Sequence, residues 1–130
     1  MGFRFQIFLV HRASTQPAAY ALGPAQVTPI SWRFLSSNNR SLGQSADVFT
    51  DVESCRDAIH RLQSRLIDSD VYTLRDGRAQ WSWSIRIDDL EVAVSTRRYQ
   101  RRAEAEHASS TFMDLVGQTS VSDELRVVRF

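Results

Sequence analysis

Arg97, Arg98, Arg101 and Arg102 crowd into six residues around Tyr99. They straddle the end of an expected strand and the start of an expected helix. A helix start carries partial positive charge, so each cation placed there is disfavoured by roughly 0.3–1 kcal/mol. The equivalent stretch in the first half of the chain carries Asp47, Asp51 and Glu53 instead, as the dipole prefers. Free backbone N–H groups together with guanidinium forks make an anion site, suited to the phosphate of a nucleic acid or nucleotide. The plainer reading is that these arginines are solvated, or pair with Glu104, Glu106 and neighbouring carboxylates. All 16 basic residues are arginine, which makes a run of them less surprising. Codon bias in a GC-rich genome accounts for that usage as readily as anion recognition does.

Other chemistry-bearing residues lead back to structure. Trp32, Trp81 and Trp83 would form a base-stacking platform if they faced solvent. The alternation of Trp81, Trp83, Ile85 and Ile87 with Ser82, Ser84 and Arg86 places them in a core instead. Cys55 lies on an apolar helical stripe, the position of a small buried residue rather than a nucleophile. As the single cysteine it excludes an internal disulfide and a multi-thiolate metal site. His11, His60 and His107 have no metal-ligand spacing, and the paired Asp88-Asp89 sits in a turn, where Asp is favoured for backbone reasons. No nucleophile elbow, phosphate-binding loop, His-Glu-x-x-His or dinucleotide fingerprint occurs. No catalytic residue, cofactor or metal is therefore expected.

A chain of 130 residues with 42% apolar and 24% charged residues suits one globular domain. Its formal charge of +1 gives no bulk attraction to polyanions, so such binding would need a local patch. Phe5 to Val10 is too short for a signal-peptide core and nothing approaches a membrane span. A reducing cytoplasm is the expected compartment.

The elements follow from periodicity. Phe3 to Val10 reads as a strand, and His11 to Pro29, with all three prolines, as a long loop. Ile30 to Leu35 is a second strand with Trp32 and Phe34 on one face. Ser36 to Asn39 turns, and Arg40 to Val48 returns as a third strand. Thr50-Asp51-Val52-Glu53 fits a capping box with Thr50 at the N-cap. Val52, Cys55, Ile59, Leu62 and Leu66 then form one helical stripe. In the second half, Val71 to Arg75, Trp81 to Ile87 and Leu90 to Val94 are strands, joined at Asp76-Gly77 and Asp88-Asp89. A helix from about Arg101 to Val116 presents Ala105, Ala108, Phe112 and Leu115, with Gly117 as its stop. The tail from Ser120 to Phe130 either adds an edge strand or packs across the core.

The two halves match fifty positions apart without a gap. Asn39 falls on Asp89, Leu42 on Val92, Ser45 on Ser95, Phe49 on Tyr99, Ala58 on Ala108 and Leu62 on Phe112. One small β-β-β-α unit buries little alone, whereas two sharing a sheet bury about twice as much. The expected architecture is α+β: tandem β-β-β-α repeats sharing a single mainly antiparallel sheet with helices on one face. The repeats span about 1–68 and 69–117, and residues 118–130 are a tail.

This unit resembles that of the YegP-like family of small bacterial proteins, which carry it in tandem. The matching residues are Trp32, Phe34, Asn39, Leu42, Ser45, Phe49, Ala58, Ile59 and Leu62, then Trp81, Trp83, Asp89, Val92, Ser95, Tyr99, Ala108 and Phe112. The departures are Arg40 and Leu90 for the turn glycine, Phe49 for the first tyrosine and Ser109 for an aliphatic residue. The resemblance implies a single sheet with helices that exchange between halves, and it implies no activity.

Three functions follow. The first is a non-catalytic binding or regulatory module that docks a protein partner or a second copy on the open sheet face or an edge. The alternative is nucleic-acid or phosphoanion binding through Arg97, Arg98, Arg101 and Arg102. The last is an enzyme with a site between the proline-rich loop and the sheet. An apolar open face would favour the first, an arginine-lined face with exposed aromatics the second, and a deep pocket with convergent polar groups the third.

Overall fold

A computed structural model describes residues 2–10 and 29–121 and the backbone of 127–128. The proline-rich loop, and with it the enzyme site expected beside it, falls outside the described residues. The elements are β1 (Arg4–Leu9), β2 (Ile30–Leu35), β3 (Ser41–Ser45), α1 (Val52–Ser64), β4 (Asp70–Arg75), β5 (Trp81–Ile87), β6 (Leu90–Val94), α2 (Arg102–Gln118) and β7 (Val127–Val128). A 3₁₀ turn at Leu66–Asp68 follows α1. The strands form one sheet in the order β4-β5-β6-β3-β2-β1-β7. Every pairing is antiparallel except that of β7, which lies parallel to β1. The tail thus contributes an edge strand. The fold is α+β, an antiparallel sheet of six strands carrying two helices, with the short parallel β7 at one edge.

Alternation along each strand builds the core. Ile7, Trp32, Phe34, Trp83, Ile85 and Ala93 project from one face and are buried. Phe112 of α2 enters this layer, with ring centroids 4.8 Å from Trp83, 5.7 Å from Phe34 and 6.5 Å from Trp32. Cys55, Ile59 and Leu62 of α1 close the same core, as their spacing requires. Gly43, opposite Phe34 in the ladder, leaves the space that Phe112 and Trp83 fill.

Several local details depart from the sequence reading. The α1 N-cap is Asp51, not Thr50: its carboxylate accepts the Ser54 N–H at 2.7 Å, and Thr50 Oγ1 donates to it at 3.3 Å. A carboxylate suits the positive end of the helix better than a hydroxyl. Gly117 does not stop α2, which runs to Gln118 with Thr119 as C-cap. Carbonyls at this end are bonded by side chains: Gln63 Nε2 donates to Val116 O at 3.0 Å and to Thr119 O, and Thr119 Oγ1 donates to Leu115 O at 2.6 Å. A left-handed glycine cap is unnecessary when a neighbouring helix supplies the donors. The buried stripe of α2 is Ala105, Ser109, Phe112 and Val116, one step round from the expected one; Ala108 and Leu115 are half-buried. Ser109 fits because its Oγ donates to Glu106 O within the helix at 2.8 Å.

The turns fall at the expected places, with one difference in which residue takes the left-handed conformation. Asp89, with φ 64° beside Asp88 at φ 54°, makes a two-residue hairpin of the mirror-image type. Between β2 and β3 the turn is longer: Ser36 N–H donates to Arg40 O, and Asn39 takes the left-handed position at φ 65°. Between β4 and β5 the left-handed residue is Ala79, not Gly77. Isolated bridges join Ile30 to Phe49 and Trp81 to Tyr99. These set Ile30 level with Trp81, so Trp32 corresponds to Trp83 and Phe34 to Ile85. The resemblance set Trp32 and Phe34 against Trp81 and Trp83; the bridges shift that alignment by one residue pair along the strand, and the two hairpin turns differ in length.

Three carboxylates tie this framework. Asp51 accepts from Ser54, Asp76 accepts the Gln80 and Arg78 N–H groups at 3.0 and 2.8 Å, and Asp88 receives both terminal nitrogens of Arg65. Backbone hydrogen bonds hold the carboxyl pKa of Asp51 and Asp76 below the ordinary carboxylate value, and the Arg65 side-chain bonds do the same for Asp88. A carboxyl with a folded pKa below its unfolded value contributes stability above the unfolded value, about 3.9, and loses it as pH falls through the folded one. Urea midpoints are expected to be flat from neutral pH to about 5 and to drop below about 4. A midpoint unchanged at pH 3 would contradict these assignments.

Candidate anion-binding site

The antiparallel order decides which charges meet. β2, β4 and β6 end where β1, β3 and β5 begin. Arg4 opens β1 opposite Leu35, and Arg40 leads into β3. Arg75 closes β4 opposite Trp81, and Arg78 lies in the turn that follows. Arg97 and Arg98 leave β6 at this same end, and Arg101 and Arg102 begin α2 above Trp81. A hydrogen bond of 2.7 Å between Ser41 Oγ and Thr96 Oγ1 joins the two halves between Arg40 and Arg97. The opposite end of the sheet collects Asp68, Asp70, Asp88, Asp89 and Glu91, with Arg65 and Arg86 among them. Asp76 stands alone as the acid within the arginine cluster's turns.

The four arginines expected from sequence are all exposed and lie at this end. Two of them have partners. Arg98 Nε is 3.5 Å from Asp76, and Arg102 Nε is 3.8 Å from Glu106, with its guanidinium 5.8 Å from the centre of the Trp81 ring. Such exposed pairs are worth little and are open to exchange for a stronger anion. Arg97 and Arg101 form no ion pair among the described residues, and the same holds for Arg40, Arg75 and Arg78. Arg4 is engaged differently, donating to Ser36 O at 3.3 Å and to Asn39 Oδ1. The α2 N-terminus begins at Arg101, whose own N–H donates to Glu104 at 3.1 Å. Glu104 thereby offsets part of the local positive charge.

Sequence reading found the 97–102 cluster and missed Arg4, Arg40, Arg75 and Arg78. Each of those is a lone arginine at a strand end or in the turn beside one. The signal was their consistent position, at the end of even strands or the start of odd ones, and it needs the strand order to be read.

The tryptophans divide. Trp32 and Trp83 are each 1% exposed, while Trp81 is half-buried at the rim of the cationic end beside Tyr99. Cys55 is buried, and that desolvation pushes its thiol up to about 12, so no thiolate forms near neutral pH. His60 and His107 are exposed, and His11 lies outside the described residues. No group of acidic, histidine and cysteine side chains with metal-binding geometry occurs among the described residues.

The face opposite the helices is polar. One row of directly opposed residues crosses six strands: Tyr72, Ser84, Val94, Gln44, Arg33 and Gln6. Arg33 covers Phe8 at 5.3 Å and Arg86 covers Tyr72 at 4.7 Å. Arginines over aromatics, rather than an apolar sheet, characterise this surface. A groove of about 470 Å³ runs between α1 and β6, lined by Asp57, Arg61, Arg65, Asp88 and Glu91 over Trp32 and Leu62. Arg65 there is already bonded to Asp88 and Asp68. No described helix is long and apolar enough to cross a membrane.

A scan against protein-family models finds no match, and a search of curated proteins finds none either. Solved structures do match. The fold is similar to that of YegP from E. coli, a protein of unknown function, with a TM-score of 0.63 and 11% identity over 99% of this chain and 93% of that one. It is likewise similar to a UPF0339 protein from Shewanella oneidensis, with a TM-score of 0.66 and 8% identity over the same shares. At these identities the likeness is one of fold. The α+β fold, an antiparallel sheet with two helices, is the part of the expectation that these structures share.

Proposed function

We propose that this protein is a non-catalytic binding module that recognises a polyanion, with the phosphate backbone of a nucleic acid as the best-suited ligand. The observation that carries this reading is the segregation of charge by topology. Arginines from separate strand ends are in excess at one end of the sheet, and acids are in excess at the other, where Arg65 and Arg86 offset part of them. A net charge of +1 conceals a strongly polar distribution, and it is the local field that steers a polyanion. Arg97 and Arg101, without an ion pair among the described residues, supply guanidinium forks, and half-buried Trp81 and Tyr99 border them with aromatic surface.

The chain reads as one domain of two β-β-β-α units, about 1–68 and 69–117, with 118–130 as a tail. The paired bridges Ile30–Phe49 and Trp81–Tyr99 support that reading, as does the like order of elements in each half. In it, the second unit carries the anion site and the first contributes Arg4 and Arg40.

Labelled single- and double-stranded oligonucleotides titrated across a salt series test the function. Affinity is expected to fall with salt with a log–log slope of about 0.7–0.9 per phosphate contacted. Replacing Arg97, Arg98, Arg101 and Arg102 together by alanine removes most binding and flattens the slope by about 3. These side chains are exposed, so the variant is expected to keep its fold. Absence of binding by the unaltered protein at low salt would end the nucleic-acid reading.

A further inference from the structure

We infer that β4 is the contact through which two copies of this chain join their sheets, antiparallel, about a two-fold axis at Thr73. β4 forms one edge of the sheet. The Asp76–Gln80 turn bond sets the hydrogen-bonding alternation of this hairpin, so Tyr72 and Leu74 bond inward to β5. The N–H and C=O groups of Val71, Thr73 and Arg75 therefore point outward. Val71, Tyr72 and Leu74 are 41%, 40% and 45% exposed, an apolar edge of high strand propensity. Its charges, Asp70 and Arg75, stand at its two ends, and it has no proline, no lysine and no bulge in its pairing with β5.

A second copy fits this edge because the edge is self-complementary. Two-fold symmetry about an axis normal to the sheet requires opposed residues to share a face, so the axis passes through a residue rather than between two. Outward backbone groups at Val71, Thr73 and Arg75 are matched when that residue is Thr73. Thr73 then opposes the partner's Thr73, and Val71 opposes the partner's Arg75. Tyr72 meets the partner's Leu74 on the open face, in the closer, non-hydrogen-bonded spacing, where aromatic–aliphatic pairs stabilise. Charge follows the same operation. Each copy is cationic at one end and acidic at the other, so antiparallel edges bring the acidic end of one copy toward the cationic end of its partner. Asp70 falls level with the partner's Asp76, whose carboxylate already serves its own turn and Arg98. Arg75 and Arg78 border both this edge and the arginine cluster, whereas Arg97 leaves β6, two strands in, so the edge variants and the Arg97, Arg98, Arg101 and Arg102 variant test the two readings separately.

Sedimentation velocity of the full chain over a concentration series tests this. The expected result is a reversible species of twice the 14.9 kDa monomer mass. Thr73→Pro removes an outward N–H that the monomer fold does not use, and is expected to weaken association by about ten-fold or more with an unchanged near-UV circular dichroism spectrum. If that variant loses its fold, Tyr72→Lys with Leu74→Lys places charge on the same edge and gives the same reading. Thr73→Cys under mild oxidation is expected to give a covalent dimer, Cys55 being buried. A monomer at every concentration, or a dimer unaffected by both edge variants, overturns the inference.

Discussion

Replacing Phe112 with alanine is expected to lower unfolding free energy by about 3–5 kcal/mol. The side chain is fully buried and is the one ring of α2 that touches Trp32, Phe34 and Trp83 together. Its removal leaves a cavity bounded by β2 and β5, whose strands are held by their ladders and relax little. Large buried rings contribute both the lost transfer energy and this cavity term. A loss of that size is a large fraction of the roughly 5–15 kcal/mol that keeps a domain folded. Urea denaturation followed by tryptophan fluorescence reads it directly, because Trp32 and Trp83 are the neighbours. A decrease below about 1 kcal/mol would mean that Phe112 is not packed as described.

Gly43→Val is the second large effect, and it acts in the opposite sense, by overfilling. A Cβ at position 43 would lie 2.7 Å from both Phe112 Cε1 and Trp83 Cη2. Those atoms belong to rings wedged in the core, so neither can swing away. Such overpacking costs about 1–3 kcal/mol or more, even though valine is otherwise well suited to a strand. The two substitutions are coupled, because Phe112→Ala vacates the volume that the valine needs. The double variant is therefore expected to lose less than the sum of the singles. Strict additivity would show that Gly43 is retained for some reason other than its contact with Phe112.

Much of this molecule was legible in the order of its residues. Period-two alternation placed β2 and β5 because a strand half-buried against helices must alternate, and Trp32, Phe34, Trp83 and Ile85 do. The α1 stripe was legible for the same reason at helical period. The cluster of Arg97, Arg98, Arg101 and Arg102 was visible as a local excess of charge at a place where the helix dipole disfavours it.

The tertiary structure decided what distance along the chain conceals. Gly117 lies inside α2 because Gln63, far away in sequence, bonds carbonyls at the helix end. The α2 stripe turned by one step, with Ser109 and Val116 buried in place of Ala108 and Leu115, because the core, not the helical period, chooses which neighbours of Ala105 and Phe112 face inward. Above all, the partners of the arginine cluster follow from the strand order β4-β5-β6-β3-β2-β1. Periodicity reports which face of a strand is buried, a property of near neighbours. It carries no record of which strand lies beside which, since that follows from long-range pairing. Arg4, Arg40, Arg75 and Arg78 are solitary charges in the sequence and become neighbours of Arg97–Arg102 only when the sheet closes.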